Sequence, residues 1–305
     1  MSIRQALLNL GLRLIAKPLL RRAHDPLAVR RVVDFIAERG FRPPPYTVEL
    51  PVDLDGIEAL SLRSGRVANP SALVLYLHGG SYIAGSPLTH RALAARIARL
   101  ARVEVIVPRY RLAPEHPLPA ALDDALAAWD GLMARGYAPT DIILAGDSAG
   151  GGLALLLLSK LCARGTPPAG LVAFSPWTDL TFSGASYREN AVRDVLLPVE
   201  RVEEARAFAL GGGDPASPEV SPLFAGFSGA PPVLIQYSDS EILADDSLSM
   251  ANRLRGFGAE VQVQAWPDGP HVWQMFDGYI PEARAALRDA AGAIRRMLGQ
   301  APAGR

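Results

Sequence analysis

The sequence predicts an α/β protein built on an open, doubly wound and mostly parallel sheet. Short apolar runs alternate with helical stretches along most of the 305 residues. The inner runs are almost continuously apolar, as expected for parallel strands that helices cover on both faces. Hydrophobic residues make up 49% of the chain and charged residues 20%, which indicates a large folded core. Ligands bind such sheets at the carboxyl ends of the strands.

Eight strands and five intervening helices are predicted. The strands are Thr47 to Val52, Ile57 to Arg63, Ala72 to His78, Val103 to Pro108, Asp141 to Gly146, Gly170 to Ser175, Pro232 to Ser238 and Glu260 to Trp266. The first two alternate polar and apolar residues, which predicts an antiparallel edge. The helices are Leu88 to Ala101, Ala120 to Arg135, Gly151 to Arg164, Asp245 to Gly256 and Glu282 to Leu298.

Two segments do not fit this alternation. Residues 1–45 are helical but precede the first strand, and residues 181–225 contain a loop, a short helix around Pro198 to Leu210 and a glycine-rich turn. Segments inserted after a strand usually lie over the carboxyl edge of the sheet. We therefore expect a single domain over residues 1–305 in which both segments form a small helical cap.

The pentapeptide Gly146-Asp147-Ser148-Ala149-Gly150 carries the strongest chemical signal. An apolar strand ends just before it and a helical run follows, which places Ser148 at the apex of a sharp turn. This is the context in which Gly-x-Ser-x-Gly forms a nucleophile elbow. The flanking glycines have a steric reason, because a strained turn pressed between strand and helix has no room for side chains. We interpret Ser148 as a catalytic nucleophile; a structural turn is the alternative.

A second glycine-rich loop, His78-Gly79-Gly80-Ser81-Tyr82, follows the third predicted strand. Acyl transfer needs N–H donors aimed at the oxyanion that develops on the attacked carbonyl, and such a loop can present bare backbone there. The loop predicts an oxyanion hole formed by Gly79, Gly80, Ser81 and Ala149. The donors we favour are the N–H groups of Gly80, Ser81 and Ala149, and a plain turn is the alternative.

Three motifs in this order and spacing resemble the bacterial hormone-sensitive-lipase-like esterases, a family of α/β-hydrolases. They are His-Gly-Gly-Ser at 78–81, Tyr-Arg-Leu-Ala-Pro-Glu-His-Pro at 110–117 and Gly-Asp-Ser-Ala-Gly-Gly at 146–151. The resemblance covers about residues 70–280 and implies the α/β-hydrolase fold. The family usually has a third glycine where this chain has Ser81, whose hydroxymethyl group narrows the mouth of the site. In the family the second motif is structural, so Arg111, Glu115 and His116 are not catalytic candidates.

The resemblance places the general base at His271, in the loop behind the last predicted strand. The chain has five histidines. His24 lies in the N-terminal region, His90 in a helix, and His78 and His116 in two of the motifs above. The base of this fold follows the serine in the chain. His78 precedes it and is therefore expected to brace the oxyanion loop.

The acid of the triad is less clearly marked. Family members commonly carry Asp-Pro-Leu-x-Asp-Glu before the histidine strand, and an ungapped match places Glu241 at the acid position. Asp239, two residues earlier and close to the strand end, is the competitor. Asp245 starts the following helix and is expected to cap it. Either Asp or Glu can orient an imidazole and stabilise its cation, so Asp239 stays open beside Glu241.

A Ser148, His271 and Glu241 triad predicts a serine esterase that works through an acyl-enzyme. The resemblance implies a small-molecule ester with a short acyl chain. A lactone hydrolase is the alternative on the same site; an amidase or a non-catalytic binding protein is less favoured. Tyr82, Trp177 and Phe208 are candidates for substrate binding, although packing is the commoner role of such aromatic residues.

The remaining features predict no metal, cofactor or nucleic-acid partner. No His/Cys/Asp cluster has ligand spacing, and the turn after the third strand lacks a dinucleotide fingerprint. The net charge of zero gives no indication of nucleic acid or an anionic membrane as partner. Cys162 is the single cysteine, which excludes an internal disulfide and is compatible with a reducing compartment. It lies in an apolar helix and is expected to be a core thiol.

The N-terminal stretch from Ala6 to Pro18 is amphipathic and interrupted by Arg13 and Lys17. It is too short and too charged to span a bilayer and has no signal-peptide cleavage pattern. We expect a cytoplasmic protein without integral membrane association. An exposed edge strand or this helix could form a dimer interface, so the prediction is a monomer or homodimer.

Overall fold

A computed structural model describes residues 1–65, 67 and 70–300. The strands are β1 (Thr47–Leu54), β2 (Ile57–Ser64), β3 (Leu73–Leu77), β4 (Glu104–Pro108), β5 (Ile142–Asp147), β6 (Gly170–Phe174), β7 (Val233–Ser238) and β8 (Val261–Trp266). The helices are α1 (Ile3–Gly11), α2 (Lys17–Arg22), α3 (Pro26–Gly40), α4 (Pro87–Ala101), α5 (Ala120–Ala134), α6 (Ser148–Ala163), α7 (Ser186–Glu189), α8 (Val202–Leu210), α9 (Ala244–Gly256) and α10 (Pro281–Met297).

All eight strands form one sheet in the order β1-β2-β4-β3-β5-β6-β7-β8. The pairs β1–β2 and β2–β4 are antiparallel and every other neighbouring pair is parallel. This confirms the predicted mostly parallel sheet with an antiparallel edge. The chain passes from β3 outward to β4 and then returns to place β5 on the other side of β3. Such a reversal opens a crevice at the carboxyl ends of the strands.

Helices cover both faces of the sheet, because the inner strands are apolar on both sides. On one face α4 and α10 pack against the sheet through side chains such as Leu93 and Leu287. On the other face α5, α6 and α9 pack through Trp129, Leu155 and Met250. Each of the larger apolar side chains that folding buries contributes about 1.5–3 kcal/mol. The two layers hold the carboxyl ends of the central strands in fixed positions.

The lone thiol lies on α6. Cys162 is half-buried, and burial raises the pKa of its thiol to about 11. Because the thiolate is the nucleophilic form, a protonated thiol is unreactive near neutral pH.

The N-terminal helices contact the segment between β6 and β7. Arg201 donates to the carbonyl of Ala23 at 2.5 Å, and Arg21 pairs with Glu200 at 2.9 Å. The helix predicted around Pro198 to Leu210 is a 3₁₀ turn, Val199–Arg201, followed by α8. In the described part of the chain no helix has the length and apolar character needed to cross a membrane.

Candidate active site

The turn between β5 and α6 presents Ser148 on a strained backbone. The φ angle of Ser148 is 52°, in the left-handed region that non-glycine residues rarely adopt. A Cβ on Gly146 would lie 2.3 Å from the carbonyl oxygen of Gly150, and one on Gly150 would lie 2.2 Å from that of His78. Neither position accepts a side chain. The helix begins at Ser148 itself, earlier than the predicted Gly151, because the elbow already continues into its first turn.

Two loops at the same edge of the sheet bring His271 and Glu241 together. Glu241 lies in the turn after β7 and His271 in the loop after β8, and both are buried. His271 Nδ1–H donates to Glu241 Oε2 at 2.6 Å. The other carboxylate oxygen, Oε1, accepts the backbone N–H of Ser238 at 3.0 Å. With both oxygens engaged, the carboxylate is fixed and in turn fixes the imidazole ring.

The second nitrogen of the imidazole is left open. His271 Nε2 is buried and has no hydrogen-bond partner within the described chain. A buried polar atom without a partner is unusual and often marks a functional site. With a proton on Nδ1, Nε2 carries the lone pair that a general base needs.

The surroundings of His271 favour its protonated form. Burial opposes a charged imidazolium, but the hydrogen bond and negative charge of Glu241 outweigh it and raise the pKa of His271. The charge of Asp147, next to Ser148 in the chain, adds to this effect, which places the elbow within electrostatic range of the imidazole.

Asp239, the competing acid, faces away from the imidazole. Its Oδ1 accepts the backbone N–H of Asp268 at 3.0 Å and lies 3.6 Å from the guanidinium of Arg193. Its side chain is 46% exposed. Of the two carboxylates that the sequence left open, Glu241 is the one that bonds His271 in this structure.

The turn that carries Glu241 is held by residues that the sequence did not single out. Asn190 donates to the carbonyl oxygens of Asp239 (3.1 Å) and Glu241 (2.9 Å), and Asp194 accepts the N–H of Ile242 at 3.0 Å. These contacts join positions about 50 residues apart. No local sequence pattern could have identified them.

The expectation that Asp245 caps α9 is wrong. Leu243 is the N-cap residue, and Asp245 lies in the first turn. Its carboxylate instead accepts the N–H of Ser186 at 2.9 Å. The helix begins one residue earlier than predicted, which moves Asp245 inside it.

One member of the predicted oxyanion loop is already engaged. The N–H of Gly79 donates to Asp147 Oδ1 at 3.1 Å, so it is not available to a ligand. A Cβ on Gly79 would lie 2.2 Å from the other carboxylate oxygen of Asp147. Gly79 thus contributes close packing against Asp147, which leaves Gly80, Ser81 and Ala149 as the predicted donors.

The N–H groups of Gly80, Ser81 and Ala149 donate to no acceptor in the described chain. Gly80 has a φ of 124°, and a Cβ there would lie 2.2 Å from the carbonyl oxygen of Ala84. Ser81 also has a positive φ, 55°. Ala149 lies in the first turn of α6, where backbone N–H groups have no partner within the helix. The three donors therefore stay free for an oxygen atom of a ligand.

A buried carboxylate links the elbow to the oxyanion loop. Asp147 Oδ1 accepts the hydroxyl of Tyr76 at 2.7 Å and lies 3.3 Å from His90 Nε2. Burial alone would raise the pKa of this carboxyl, but His90 and the Tyr76 hydrogen bond hold it below its usual range. Asp147 is thus an anion that organises three groups around it. No role was predicted for Asp147, although it lies within the pentapeptide.

His78 is packed into the protein interior. Its ring stacks on that of Tyr110 at a centroid distance of 4.2 Å, and its Nδ1 lies 2.9 Å from the carbonyl oxygen of Gly79. Burial lowers its pKa to about 3, so the ring stays neutral. The Tyr110 hydroxyl also donates to the carbonyl of His78 at 2.5 Å. These contacts brace the oxyanion loop.

The charged residues of the 110–117 motif are engaged with other elements. Arg111 pairs with Asp124 on α5 at 2.7 Å, and Glu115 pairs with Arg30 on α3 at 2.6 Å. His116 is exposed. Their contacts join the motif to its neighbouring helices.

Two of the three candidate substrate-binding aromatics lie next to the elbow. Trp177 donates its backbone N–H to the carbonyl of Ser148 at 3.0 Å, and its ring centroid lies 6.1 Å from that of Tyr82. The Tyr82 hydroxyl and the Trp177 indole N–H are both buried without a partner in the described chain. Phe208 is half-buried on α8 and makes no ring contact with these two. The structure thus brings together Tyr82 and Trp177 but not Phe208.

Among the described residues, no group of three or more His, Cys, Asp or Glu side chains is placed to hold a metal ion.

Comparison with known proteins relates this chain to ester hydrolases. A family model described as an alpha/beta hydrolase fold matches residues 74–275. An acetyl-hydrolase of Streptomyces hygroscopicus is 40% identical over 74% of this chain and 76% of its own length. An esterase of Acinetobacter venetianus is 35% identical over 87% of this chain and 88% of its own. The crystal structure of an esterase from the bacterial hormone-sensitive lipase family superposes with a TM-score of 0.92 at 34% identity, covering 98% of this chain and 99% of the other.

Proposed function

The chain belongs to the bacterial hormone-sensitive-lipase-like esterases of the α/β-hydrolase fold and is a carboxylic ester hydrolase, and we propose that it cleaves short-acyl esters through Ser148, His271 and Glu241. The observation that carries the proposal is the buried 2.6 Å hydrogen bond from His271 to Glu241, together with the unpartnered Nε2 on the other side of the ring. This is the geometry of a base whose tautomer is fixed by an acid.

In the proposed first step Ser148 Oγ attacks the ester carbonyl while His271 Nε2 takes its proton. Glu241 keeps the proton on Nδ1 and stabilises the imidazolium that forms. The strained backbone of Ser148 holds the side chain at the apex of the turn. The alcohol then leaves with the proton from Nε2, and an acyl-enzyme remains.

The developing oxyanion would be bound by the N–H groups of Gly80, Ser81 and Ala149. All three are free of intramolecular acceptors in the described chain. Donors of this kind are worth about 3 kcal/mol each in the transition state. Water then enters, His271 removes its proton, and the acid is released by the same steps in reverse order.

A cap formed by residues 1–45 and 181–225 is part of the proposal. Arg30 on α3 supports it, because it donates to the carbonyl of Ile83, the residue directly after the oxyanion loop, at 2.6 Å. Asn190 and Asp194, from the second segment, support it through their bonds to the turn of Glu241. Both segments thus contact loops that carry the proposed machinery.

A short acyl chain is proposed because of the aromatic packing beside the elbow. Tyr82 is 1% and Trp177 5% exposed, so large side chains already fill the space next to Ser148. The name of the Streptomyces relative, an acetyl-hydrolase, agrees with a small acyl group. Phe208 is kept as a proposed contact to substrate from the cap. The proposed cellular state is a cytoplasmic monomer or homodimer.

The experiment is a panel of p-nitrophenyl esters of rising acyl length with several lactones, run beside fluorophosphonate labelling. We expect the highest kcat/KM on acetyl to butyryl esters and labelling that Ser148→Ala abolishes. Cys162→Ser is the matched control and should label and turn over normally. Labelling that survives in Ser148→Ala would overturn the nucleophile assignment. A maximum on long acyl chains or on lactones would overturn the substrate class.

A further inference from the structure

The first helix of the chain attaches to the protein through side-chain hydrogen bonds and one half-buried leucine, Leu8. Ser2 Oγ donates to Glu282 at 2.9 Å, Gln5 to the carbonyl of Asp268 at 2.9 Å and Asn9 to that same carbonyl at 2.8 Å. Gln5 is 1% exposed. The side of α1 that faces the protein thus carries these hydrogen bonds, and it also packs Leu8 against the apolar cluster that contains Trp273 and Ile280.

The opposite side of this helix is apolar and faces solvent. Ile3, Leu7, Leu10 and Leu14 are spaced by four, three and four residues, so they lie on one side of a continuous helical backbone. Their exposed fractions are 81%, 64%, 53% and 65%. We call these four residues the apolar stripe. In a globular protein the apolar side of a surface helix normally packs on the core, whereas the apolar stripe of this helix faces solvent.

The charged side chains of residues 1–24 are all basic. Two of them are engaged with the rest of the protein, because Lys17 is buried and Arg21 pairs with Glu200. Residues 1–24 contain Arg4, Arg13, Lys17, Arg21 and Arg22, and the first carboxylate is Asp25. The whole chain has 31 basic and 31 acidic residues, so these five leave the remainder with a net charge of −5. The zero net charge of the chain therefore conceals a strongly basic N-terminal segment. Arg4 and Arg22 are exposed and form no ion pair in the described part of the chain.

We propose that the apolar stripe docks onto an anionic lipid surface, with the adjacent arginines contacting the headgroups. An amphipathic helix with leucine on one side and Lys or Arg beside it lies in the interface of such a bilayer. The negative surface potential of anionic lipids attracts basic residues that lie within a Debye length of the membrane. The complementarity is local and does not require the rest of the chain to be basic.

A second copy of the chain fits the same surface less well. A two-fold contact through the stripe would bring two identical basic segments together. Their like charges would repel, whereas an anionic surface offers the opposite sign. The charge of the segment therefore selects lipid over self-association.

Docking would place the base of the site near the membrane. Gln5 and Asn9 bond the loop of residues 267–271, which ends at His271. A surface bound by the opposite side of α1 lies one helix diameter from that loop, about 10 Å. The proposal concerns where the protein resides and stands whether or not the triad has the proposed roles.

The test is co-sedimentation of the full chain with extruded vesicles. One set contains phosphatidylcholine alone, and the other contains about 30% phosphatidylglycerol. We expect binding to the anionic vesicles at low salt, reduced by added salt, and little binding to the neutral set. No binding to anionic vesicles at low salt would overturn the proposal.

Two variants separate the apolar and the basic contribution. The triple variant Leu7→Gln/Leu10→Gln/Leu14→Gln should lower the partition coefficient by at least about ten-fold. Its matched control, Val48→Gln/Leu50→Gln/Leu248→Gln, alters three other exposed apolar residues and should bind normally. Arg4→Gln/Arg22→Gln should weaken binding to the anionic vesicles and make that binding less dependent on salt. Its matched control, Arg99→Gln/Arg288→Gln, should bind as the parent protein does.

Two outcomes would contradict the lipid assignment in different ways. Equal binding by the stripe variant and its control would show that other surfaces bind the vesicles. A dimer in light scattering that the stripe variant abolishes, in the absence of lipid, would assign the stripe to a second copy. Hydrolysis of a soluble p-nitrophenyl ester by each variant reports that the protein is folded.

Discussion

The N–H of Gly79 donates to Oδ1 of Asp147 at 3.1 Å, and this bond joins the oxyanion loop to the residue before Ser148. The same carboxylate oxygen accepts the hydroxyl of Tyr76 and lies beside His90. Asp147 adjoins Ser148 in the chain, and its partner Gly79 adjoins Gly80 and Ser81, two of the proposed oxyanion donors. A change at Asp147 should disturb their relative position even though Asp147 is not proposed to contact substrate.

The first prediction concerns Asp147→Ala. Removal of the carboxylate leaves the N–H of Gly79 and the hydroxyl of Tyr76 without their acceptor, which should cost about 2–4 kcal/mol of unfolding free energy. Because the loop that carries Gly80 and Ser81 is released, kcat should fall by about ten- to a hundred-fold with a smaller change in KM. Steady-state kinetics and urea denaturation measure the two effects.

Tyr76→Phe is the matched control for Asp147→Ala. It removes one hydrogen bond from the same carboxylate but leaves the bond from Gly79 intact. The unfolding free energy should fall by about 1 kcal/mol, with kcat close to that of the parent protein. If both variants lose the same fraction of kcat, the effect comes from general loosening of the core and not from the oxyanion loop.

The second prediction distinguishes the two candidate acids. Glu241→Ala should lower kcat by about 10³-fold or more, since the imidazole loses both its orientation and its counter-charge. Asp239→Ala should stay within about three-fold of the parent, because Asp239 bonds Asp268 and Arg193 and is half exposed. The reverse result, an inactive Asp239→Ala beside a near-normal Glu241→Ala, would assign the acid to Asp239.

Local patterns explain why so much of the fold was predictable. The eight strands are apolar or alternating runs, and each was found within a residue or two of its predicted bounds. The elbow was predictable for the same reason, since a strand, a glycine-flanked serine and a helix are adjacent in the chain. A Cβ atom on Gly146 or Gly150 would clash with neighbours along the sequence and with the end of an adjacent strand.

Contacts between distant segments explain what the sequence could not provide. The acid position was ambiguous because Asp239 and Glu241 are two residues apart, and only the turn after β7 decides which carboxylate meets His271. The bonds from Asn190 to that turn depend on how a loop folds back across the sheet edge. Likewise, an amphipathic pattern in α1 does not reveal which side faces the protein.

The third prediction follows from the raised pKa of His271. Burial opposes the imidazolium, but Glu241 outweighs it and moves the pKa above the ordinary 6.5. The proposed base acts only when neutral, so kcat/KM should fall as the pH decreases through that raised pKa. A pH profile on p-nitrophenyl acetate should therefore have an acidic limb with its midpoint above 6.5.

Glu241→Gln tests the cause of that shift. With the negative charge gone and burial unchanged, the pKa of His271 should drop and the acidic limb should move to lower pH, on a much lower plateau. Asp239→Asn is the control and should keep the midpoint of the parent protein. An acidic limb that stays in place in Glu241→Gln would mean that another group titrates.

The fourth prediction concerns Asp246, a buried carboxyl that bridges α9 and the chain after β6. Its Oδ2 accepts the N–H groups of Thr178 (2.7 Å) and Asp179 (2.9 Å), whereas Oδ1 is buried without a partner in the described chain. Burial raises the pKa of Asp246 to about 7. The negative charge of Asp179 also raises this pKa, whereas the two N–H hydrogen bonds lower it. In the unfolded chain the group returns to about 3.8.

Between those two pKa values the folded protein binds more protons at Asp246 than the unfolded chain does. The stabilisation from this carboxyl is therefore complete below about pH 3.8 and is lost as the pH rises to about 7.

Asp246→Asn keeps an acceptor for both N–H groups but cannot ionise. The difference in unfolding free energy between Asp246→Asn and the parent should thus grow in favour of the variant as the pH rises from 5 to 8, by up to about 3 kcal/mol. Urea denaturation at each pH isolates this carboxyl because both proteins share every other titrating group, and Asp289→Asn, on an exposed carboxylate of α10, is the control. A difference that stays constant with pH would show that Asp246 is ionised throughout and that its two backbone bonds outweigh its burial.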